Sequence, residues 1–173
     1  AGMLVLSKLL KANLQGYEKL NHPVQKQIIL VLNELLGFDI MKFPYGIDGC
    51  GVPAFSATIN KWAIGFARFA NYGELSKDLY VGCKKIVESI ANEPFMLAGD
   101  NRICTEISRQ FGNEITPKIG AEGVYACSFN NDGLGLVVKS RDGAKRATEF
   151  VLGKILALLG YRFNYKLKKI FFK

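Results

Sequence analysis

With 173 residues, the chain has the length of one domain that can bury a real hydrophobic core. Hydrophobic residues make up 49% and charged residues 22% of it, as in ordinary globular proteins. No run approaches the roughly 18 apolar residues that a membrane-spanning helix requires, and no signal-peptide pattern opens the chain. The composition therefore predicts a soluble, cytoplasmic protein.

The net charge of +8 is concentrated near the C-terminus, in a stretch without acidic residues. The basic residues of this tail are Arg162, Lys166, Lys168, Lys169 and Lys173. Such a tail attracts phosphate groups nonspecifically, but no RNA- or DNA-binding motif accompanies it. We therefore rank nucleic-acid binding lowest among the classes of function.

The cysteines and the single histidine exclude several kinds of site. Cys50, Cys83, Cys104 and Cys127 are widely spaced, with no C-x-x-C pair, so neither a zinc finger nor a thioredoxin motif is indicated. Buried free thiols are the default expectation for all four. His22 stands at a predicted helix start, where a capping role is the simpler explanation, and its solitude argues against a Ser-His-Asp triad.

The first part of the chain is predicted to be helical. Apolar spacing predicts helices over residues 2–14 and 24–36, the second beginning at Asn21-His22-Pro23 and ending at Gly37. Residues 43–53, F-P-Y-G-I-D-G-C-G-V-P, predict a tight irregular loop because they hold three glycines and two prolines.

Further helices are predicted downstream of this loop. Pro53 is expected to begin one that carries an aromatic stripe through Phe69, and others are predicted over residues 75–90, 101–110 and 144–159. The aromatic stripe is interpreted as core.

Residues 115–140 carry the clearest strand signal. Alternation over residues 124–129, the turn Asn130–Gly133 and a return over residues 134–139 predict an antiparallel hairpin. Two to three strands and about six helices make the chain α+β, with the hairpin packed on a helical layer.

Two stretches offer candidate chemistry. The first is Lys118-Ile119-Gly120, which lies where the first hairpin strand is predicted to begin. Gly120 is on the same strand face as Lys118 and has no side chain, so a ligand could approach the backbone beside the lysine ammonium. On the hairpin alone, a solvated edge lysine is the favoured interpretation. In Asp48-Gly49-Cys50-Gly51, a carboxylate and a thiol lie two residues apart, and a structural corner and a ligand site are equally supported.

The common catalytic motifs are absent from the printed sequence. It contains no P-loop, no G-x-G-x-x-G, no H-E-x-x-H and no G-x-S-x-G, and no serine begins an S-x-x-K motif.

Three motifs in this order resemble the bacterial asparaginase II family. They are G-I-D-G-C-G-V-P-A-F at residues 46–55, G-D-N-R-I-C-T at residues 99–105 and K-I-G-A-E-G-V-Y-A at residues 118–126. The resemblance is to the zinc-associated type, related in fold to serine β-lactamases and penicillin-binding proteins. It covers a domain at residues 1–160, and residues 161–173 form a basic tail that does not resemble the family's ending and is expected to be an edge strand or a free tail.

The resemblance implies an amidohydrolase that converts L-asparagine to L-aspartate and ammonia. Lys118 matches the family's strand motif, which is similar to the K-T-G of β-lactamases, and is the expected catalytic residue. Cys50 matches a zinc ligand, so zinc is the implied cofactor. The residues expected around the substrate are Asp48, Gly49, Gly120 and Cys104.

Some parts of the family pattern are missing from this chain. The family's C-S-G-K-H segment, with a cysteine and a lysine ligand for zinc, is expected immediately upstream of Ala1, and the S-x-x-K serine farther upstream. We therefore expect a processed chain or the C-terminal portion of a longer one, incomplete relative to the family, with a partial zinc ligand set and little activity alone.

Two alternatives to the asparaginase hypothesis stay open. One is a β-lactam-binding relative. The other is a non-catalytic remnant domain that acts through a partner, for which a homodimer is one arrangement. The asparaginase hypothesis depends on Lys118 Nζ and Cys50 Sγ meeting at a shared pocket.

Overall fold

The structure is a computed structural model that describes residues 1–172, and it confirms an α+β chain. Two compact units divide the chain, residues 1–61 (the first unit) and residues 62–173 (the second unit). Within the described residues the α-helices are α1 (Gly2–Leu9), α2 (Pro23–Leu36), α3 (Ile59–Ala70), α4 (Lys77–Asn92), α5 (Pro94–Ala98), α6 (Ile103–Phe111), α7 (Lys145–Leu158) and α8 (Tyr165–Phe171). The strands are β1 (Tyr45–Ile47), β2 (Pro53–Phe55), β3 (Ile115–Ile119), β4 (Val124–Phe129) and β5 (Leu134–Lys139).

Helix α2 has the boundaries that its sequence predicts. The His22 Nδ1 atom accepts a hydrogen bond from the Val24 N–H at 3.2 Å, and the ring's Nε2 lies 2.8 Å from the Asn13 carbonyl oxygen. Gly37 ends the helix with a φ of 74°, a conformation that is costly for residues with a side chain. Both ring nitrogens of His22 thus have partners, and its role is structural.

Three predictions about the first unit are wrong. The first helix ends at Leu9 rather than at residue 14, and Lys11 follows it with a φ of 51°. Residues 43–53 are not irregular throughout, because β1 and β2 pair antiparallel, with Ile47 opposite Pro53. Pro53 therefore begins a strand, and the next helix starts at Ile59. Proline has no N–H to donate, but it is tolerated here because each strand of a two-stranded sheet is an edge strand.

The second unit contains an antiparallel sheet in the order β3-β4-β5. The predicted hairpin is confirmed as β4 and β5, with Phe129 opposite Leu134 across the turn. Lys118 does not lie at the start of that hairpin's first strand. It lies near the end of the separate strand β3, opposite Ala126, because residues 120–123 turn the chain before β4 begins.

A hydrophobic core joins one face of the sheet to three helices of the second unit. Its members, all at most 2% exposed, are Ile103, Cys104 and Ile107 of α6, Ile115, Tyr125, Cys127 and Phe129 of the sheet, Leu152 and Leu156 of α7, and Leu167 and Phe171 of α8. Each fully buried large side chain contributes roughly 2 kcal/mol. This core fixes the position of β3 relative to α6.

The basic tail is a helix rather than an edge strand. Leu167 and Phe171 of α8 lie in the core, and the Phe171 ring packs where a side chain on Gly153 of α7 would stand. The alternation of apolar and basic residues that suggests a strand also fits a helix of about two turns with its apolar face buried. Lys173 lies outside the described residues.

None of the helices in residues 1–172 has the length and apolar character needed to cross a membrane.

The contact between β5 and α3 depends on a single glycine. A β-carbon on Gly135 would collide with the backbone of Ala63, Phe66 and Ala67. Beside it, the Ser128 hydroxyl donates to the Phe66 carbonyl at 2.8 Å. Strand and helix backbones thus meet without a side chain between them.

We predict that Gly135→Ala destabilises the protein by about 3 kcal/mol or more, because β5 and α3 must separate to admit the methyl group. Gly82→Ala is the matched control. Gly82 lies inside α4 with open space around it, so alanine there should stabilise the helix by about 0.5–1 kcal/mol. Urea unfolding of both variants tests this, and equal stabilities would contradict the close approach.

Candidate functional site

Lys118 lies at the exposed end of β3. Its ammonium donates a hydrogen bond to the carbonyl of the neighbouring Ile119, 2.7 Å away. Gly120 continues the chain and its N–H donates to the Val124 carbonyl at 2.9 Å. A β-carbon on Gly120 would lie 3.1 Å from the β-carbon of Val124, so the space that the glycine leaves is bounded by this side chain.

Cys104 lies behind Lys118 on the first turn of α6. Its side chain is 1% exposed, and its Sγ is 2.9 Å from the Tyr125 hydroxyl of β4. Burial raises the pKa of the Cys104 thiol, although its hydrogen bonds with Tyr125 and with the Ile119 main chain, and the charges of Lys118 and Arg102, act in the opposite direction. The thiol is therefore protonated at neutral pH.

The hydroxyl of Tyr125 is also held in its neutral form. The residue is 0% exposed, and burial raises its pKa well above the ordinary value of a tyrosine. Cys127, two residues along β4, has its pKa raised well above the ordinary thiol value, again chiefly by burial. Cys104, Tyr125 and Cys127 are thus uncharged, whereas the positive charges of Lys118 and Arg102 act on Cys104 and the negative charge of Glu149 acts on Tyr125.

The Asp48–Cys50 stretch forms the turn between β1 and β2 in the first unit. One carboxylate oxygen of Asp48, Oδ1, accepts hydrogen bonds from the Cys50 N–H at 2.8 Å and the Val52 N–H at 3.1 Å. Gly51 takes a φ of 80°, and Gly49 has open space where a side chain would be. These contacts favour the structural-corner interpretation, and Cys50 is an exposed free thiol on that corner.

Comparison with known protein families shows the family to which this chain belongs. A sequence profile of the family described as L-asparaginase II matches residues 1–171. The chain belongs to the L-asparaginase II family. The match includes α8, and so it extends beyond residue 160, where the visible motif resemblance ends. No curated protein matches the chain.

The structure places the predicted site residues of this L-asparaginase II family member in two groups. Lys118, Gly120 and Cys104 lie together in the second unit, around the end of β3. Asp48, Gly49 and Cys50 lie together in the first unit, on one turn. The convergence of Lys118 Nζ and Cys50 Sγ on one pocket stays a prediction.

The residues around Cys50 do not form a closed zinc site. A structural zinc ion usually takes four nitrogen, sulfur or oxygen ligands. Within residues 1–172 no three His, Cys, Asp or Glu side chains are grouped as a metal site, and Asp48 uses Oδ1 for two backbone amides. Zinc bound at Cys50 would therefore require ligands other than those around it here.

Sequence reasoning missed Tyr125 and Arg102 as neighbours of the candidate site in this L-asparaginase II chain. The alternation along β4 puts Tyr125 on the same face as Cys127 and Phe129, so its burial was predictable. The contact between Tyr125 and Cys104 was not predictable, because Cys104 is 21 positions away in the chain and reaches Tyr125 only when α6 packs on the sheet.

We predict that one thiol reacts quickly with a disulfide reagent at neutral pH. Cys50 is exposed, whereas Cys83, Cys104 and Cys127 are buried. Cys50→Ser should remove the fast phase, and the control Cys104→Ser should leave it. Because burial raises the pKa of Cys104, its slow reaction should continue to accelerate with pH beyond the ordinary thiol value of 9.0, where an unperturbed thiol would level off. A fast phase that survives in Cys50→Ser would contradict the described exposure.

Proposed function

We propose that this chain supplies the Lys118 side of an amidohydrolase site that converts L-asparagine to L-aspartate and ammonia. Membership of the L-asparaginase II family supports an asparaginase-like function at the level of the family. The single observation in the fold that supports the site is the exposed lysine ammonium beside the neutral Cys104–Tyr125 pair.

The charge distribution at the end of β3 suits an amino acid substrate. A cation binds a carboxylate through charge-assisted hydrogen bonds, which are about twice as strong as neutral ones. Because Cys104 and Tyr125 are neutral, they do not offset the positive charges of Lys118 and Arg102. Lys118 would give up its bond to the Ile119 carbonyl to bind the substrate carboxylate or to orient a nucleophile.

The nucleophile is not among the groups described around Lys118. Cys104 is a poor candidate, since burial raises the pKa of its thiol and the reactive form of cysteine is the thiolate. No serine of the printed sequence begins an S-x-x-K motif. An amide bond is cleaved slowly without an activated nucleophile, so we propose that the chain alone has little or no activity.

The relation to serine β-lactamases and penicillin-binding proteins is part of the proposal. An antiparallel sheet packed on helices, with the K-I-G stretch at the end of β3, is compatible with that kinship. Zinc at Cys50 is also kept as a proposal, but no step is assigned to it because the residues around Cys50 do not complete a ligand set. Within residues 1–172 the cysteines form no disulfide, which supports the proposed cytoplasmic location, where thiols stay reduced.

A non-catalytic role is the second candidate. The absence of an S-x-x-K serine from the printed sequence favours it, and so do exposed apolar side chains such as Leu9 and Leu158, at 74% and 86% exposure. A homodimer would cover such surfaces, and sedimentation velocity would reveal it. Covalent labelling by a fluorescent penicillin would instead favour the β-lactam-binding relative.

We predict that the purified chain releases ammonia from L-asparagine at no more than the buffer rate. The physical reason is the lack of an activated nucleophile in this sequence. Coupled detection of ammonia measures the rate, and Lys118→Ala is the comparison. Ammonia release by the chain that Lys118→Ala abolishes would overturn the expectation of inactivity while supporting Lys118 as catalytic.

We predict that Lys118→Met weakens binding of L-aspartate about tenfold, because the substitution removes the cation that faces the carboxylate. Lys118→Arg keeps the charge and should retain most of the affinity, and Lys85→Met removes an exposed lysine on α4 as the matched control. Isothermal titration calorimetry measures all four proteins. Unchanged binding in Lys118→Met would remove Lys118 from the site.

A further inference from the structure

A second concave surface of the second unit lies at the opposite end of β3 from Lys118. It is a cavity of about 370 Å³, within the size range of small-molecule sites. Since β3 rises roughly 3.3 Å per residue, about 13 Å separate the two ends of the strand. The side chains that matter for its chemistry are Asn71, Tyr72, Glu74, Glu88, Asn130 and Asn131. We name it the asparagine-lined cavity.

Side-chain amides hold the walls of the asparagine-lined cavity in place. Asn71 Nδ2 donates to the Gly133 carbonyl at 3.2 Å, and a β-carbon on Gly133 would lie 2.6 Å from the Asn71 amide. Asn130 Nδ2 donates to the Asn113 carbonyl at 2.7 Å and to the Thr116 hydroxyl at 2.9 Å. Asn130 thus uses both of its amide N–H groups within the protein, and Asn71 uses one.

The amide oxygen of Asn130 is left as an acceptor. Asn130 Oδ1 is buried and has no hydrogen-bond partner. Its orientation is fixed, because the Asn113 carbonyl can only accept and therefore must face the amide nitrogen. A buried acceptor without a donor costs about 1–3 kcal/mol, so a hydrogen-bond donor beside Asn130 is favourable.

The charge of the asparagine-lined cavity is negative. Glu74 and Glu88 line it, and no Lys or Arg does so among the described residues. The nearest ion-pair partner of Glu88 is Lys84, 4.0 Å away, and both side chains are about half exposed, so this pair compensates little. Arg68 lies in a smaller adjoining cavity of about 90 Å³ that Glu74 also lines.

An aromatic ring completes the lining. Tyr72 packs against Tyr80, with ring centroids 5.7 Å apart, and it also borders the cavity. The face of an aromatic ring attracts organic cations, by about 0.5–1 kcal/mol at an exposed site. Amide oxygens, two carboxylates and an aromatic ring all favour a positively charged hydrogen-bond donor.

We propose that the asparagine-lined cavity binds a small organic molecule that carries a primary ammonium group. An ammonium has three N–H donors and no acceptor, so it matches the carboxylates of Glu74 and Glu88 that line the cavity. Glu74 and Glu88 supply the countercharge, and the Tyr72 ring contacts the adjoining methylene groups. The site is separate from the Lys118 side of the proposed amidohydrolase, and it does not depend on that function.

Calorimetric titration of the full chain with 1,4-diaminobutane at low ionic strength tests the proposal. We expect saturable binding of the diamine and none of 1,4-butanediol, which has the same length without charge. Glu74→Gln/Glu88→Gln should weaken diamine binding about tenfold or more, because glutamine keeps the shape and removes the charge. Glu93→Gln removes the same charge from an exposed residue outside the lining and should leave the affinity within about twofold.

Three results would overturn the proposal. The first is no saturable diamine binding by the wild-type chain, and the second is equal binding of the diol. The third is a loss of diamine affinity in Glu93→Gln that equals, per charge removed, the loss in the double variant. The last result would mean that general surface charge attracts the diamine. Both glutamates of the cavity are exposed, so thermal unfolding should show that the double variant remains folded.

Discussion

The burial of one face of β4 is the constraint on which the second unit depends. Tyr125, Cys127 and Phe129 alternate along the strand and are at most 2% exposed, beneath the helices that complete the core. Since alternate residues of a strand share a face, a slip of one position would turn all three away from this core. The pairing of β4 with β3 carries this constraint to Lys118, which is held opposite Ala126. The position of the candidate catalytic lysine is thus a consequence of core packing.

The same burial determines the chemistry beside that lysine. Desolvation raises the pKa of Cys104 and of Tyr125, so their 2.9 Å contact joins two neutral groups. Positive charge is confined to the edge, where Lys118 remains exposed. Such a division, with a neutral Cys104–Tyr125 pair inside and an exposed cation beside it, suits the binding of an anionic group better than the activation of a thiol. It agrees with the proposal that Lys118 binds or orients the substrate.

The basic C-terminal stretch is used in folding. Glu106 of α6 is 3% exposed, and its Oε1 accepts hydrogen bonds from Arg109 and from Lys166 of α8, each at 2.8 Å. A buried carboxylate without partners is costly, so these two cations make its burial feasible. Together with Leu167 and Phe171 in the core, this network holds α8 against α6. Part of the positive charge therefore serves the interior of the protein, and nucleic-acid binding is not needed to explain it.

The sequence by itself determined the features that depend on near neighbours. The start of α2 at His22-Pro23, its end at Gly37, the β4–β5 hairpin and the motifs of the family all follow from residues a few positions apart. Tertiary structure decided the rest. Pro53 pairs in a strand because β1 lies beside it, residues 165–171 become a helix because the core receives their apolar face, and Cys104 meets Tyr125 because α6 packs on the sheet. Local propensity is too weak to settle such cases, since partners distant in the chain contribute most of the free energy.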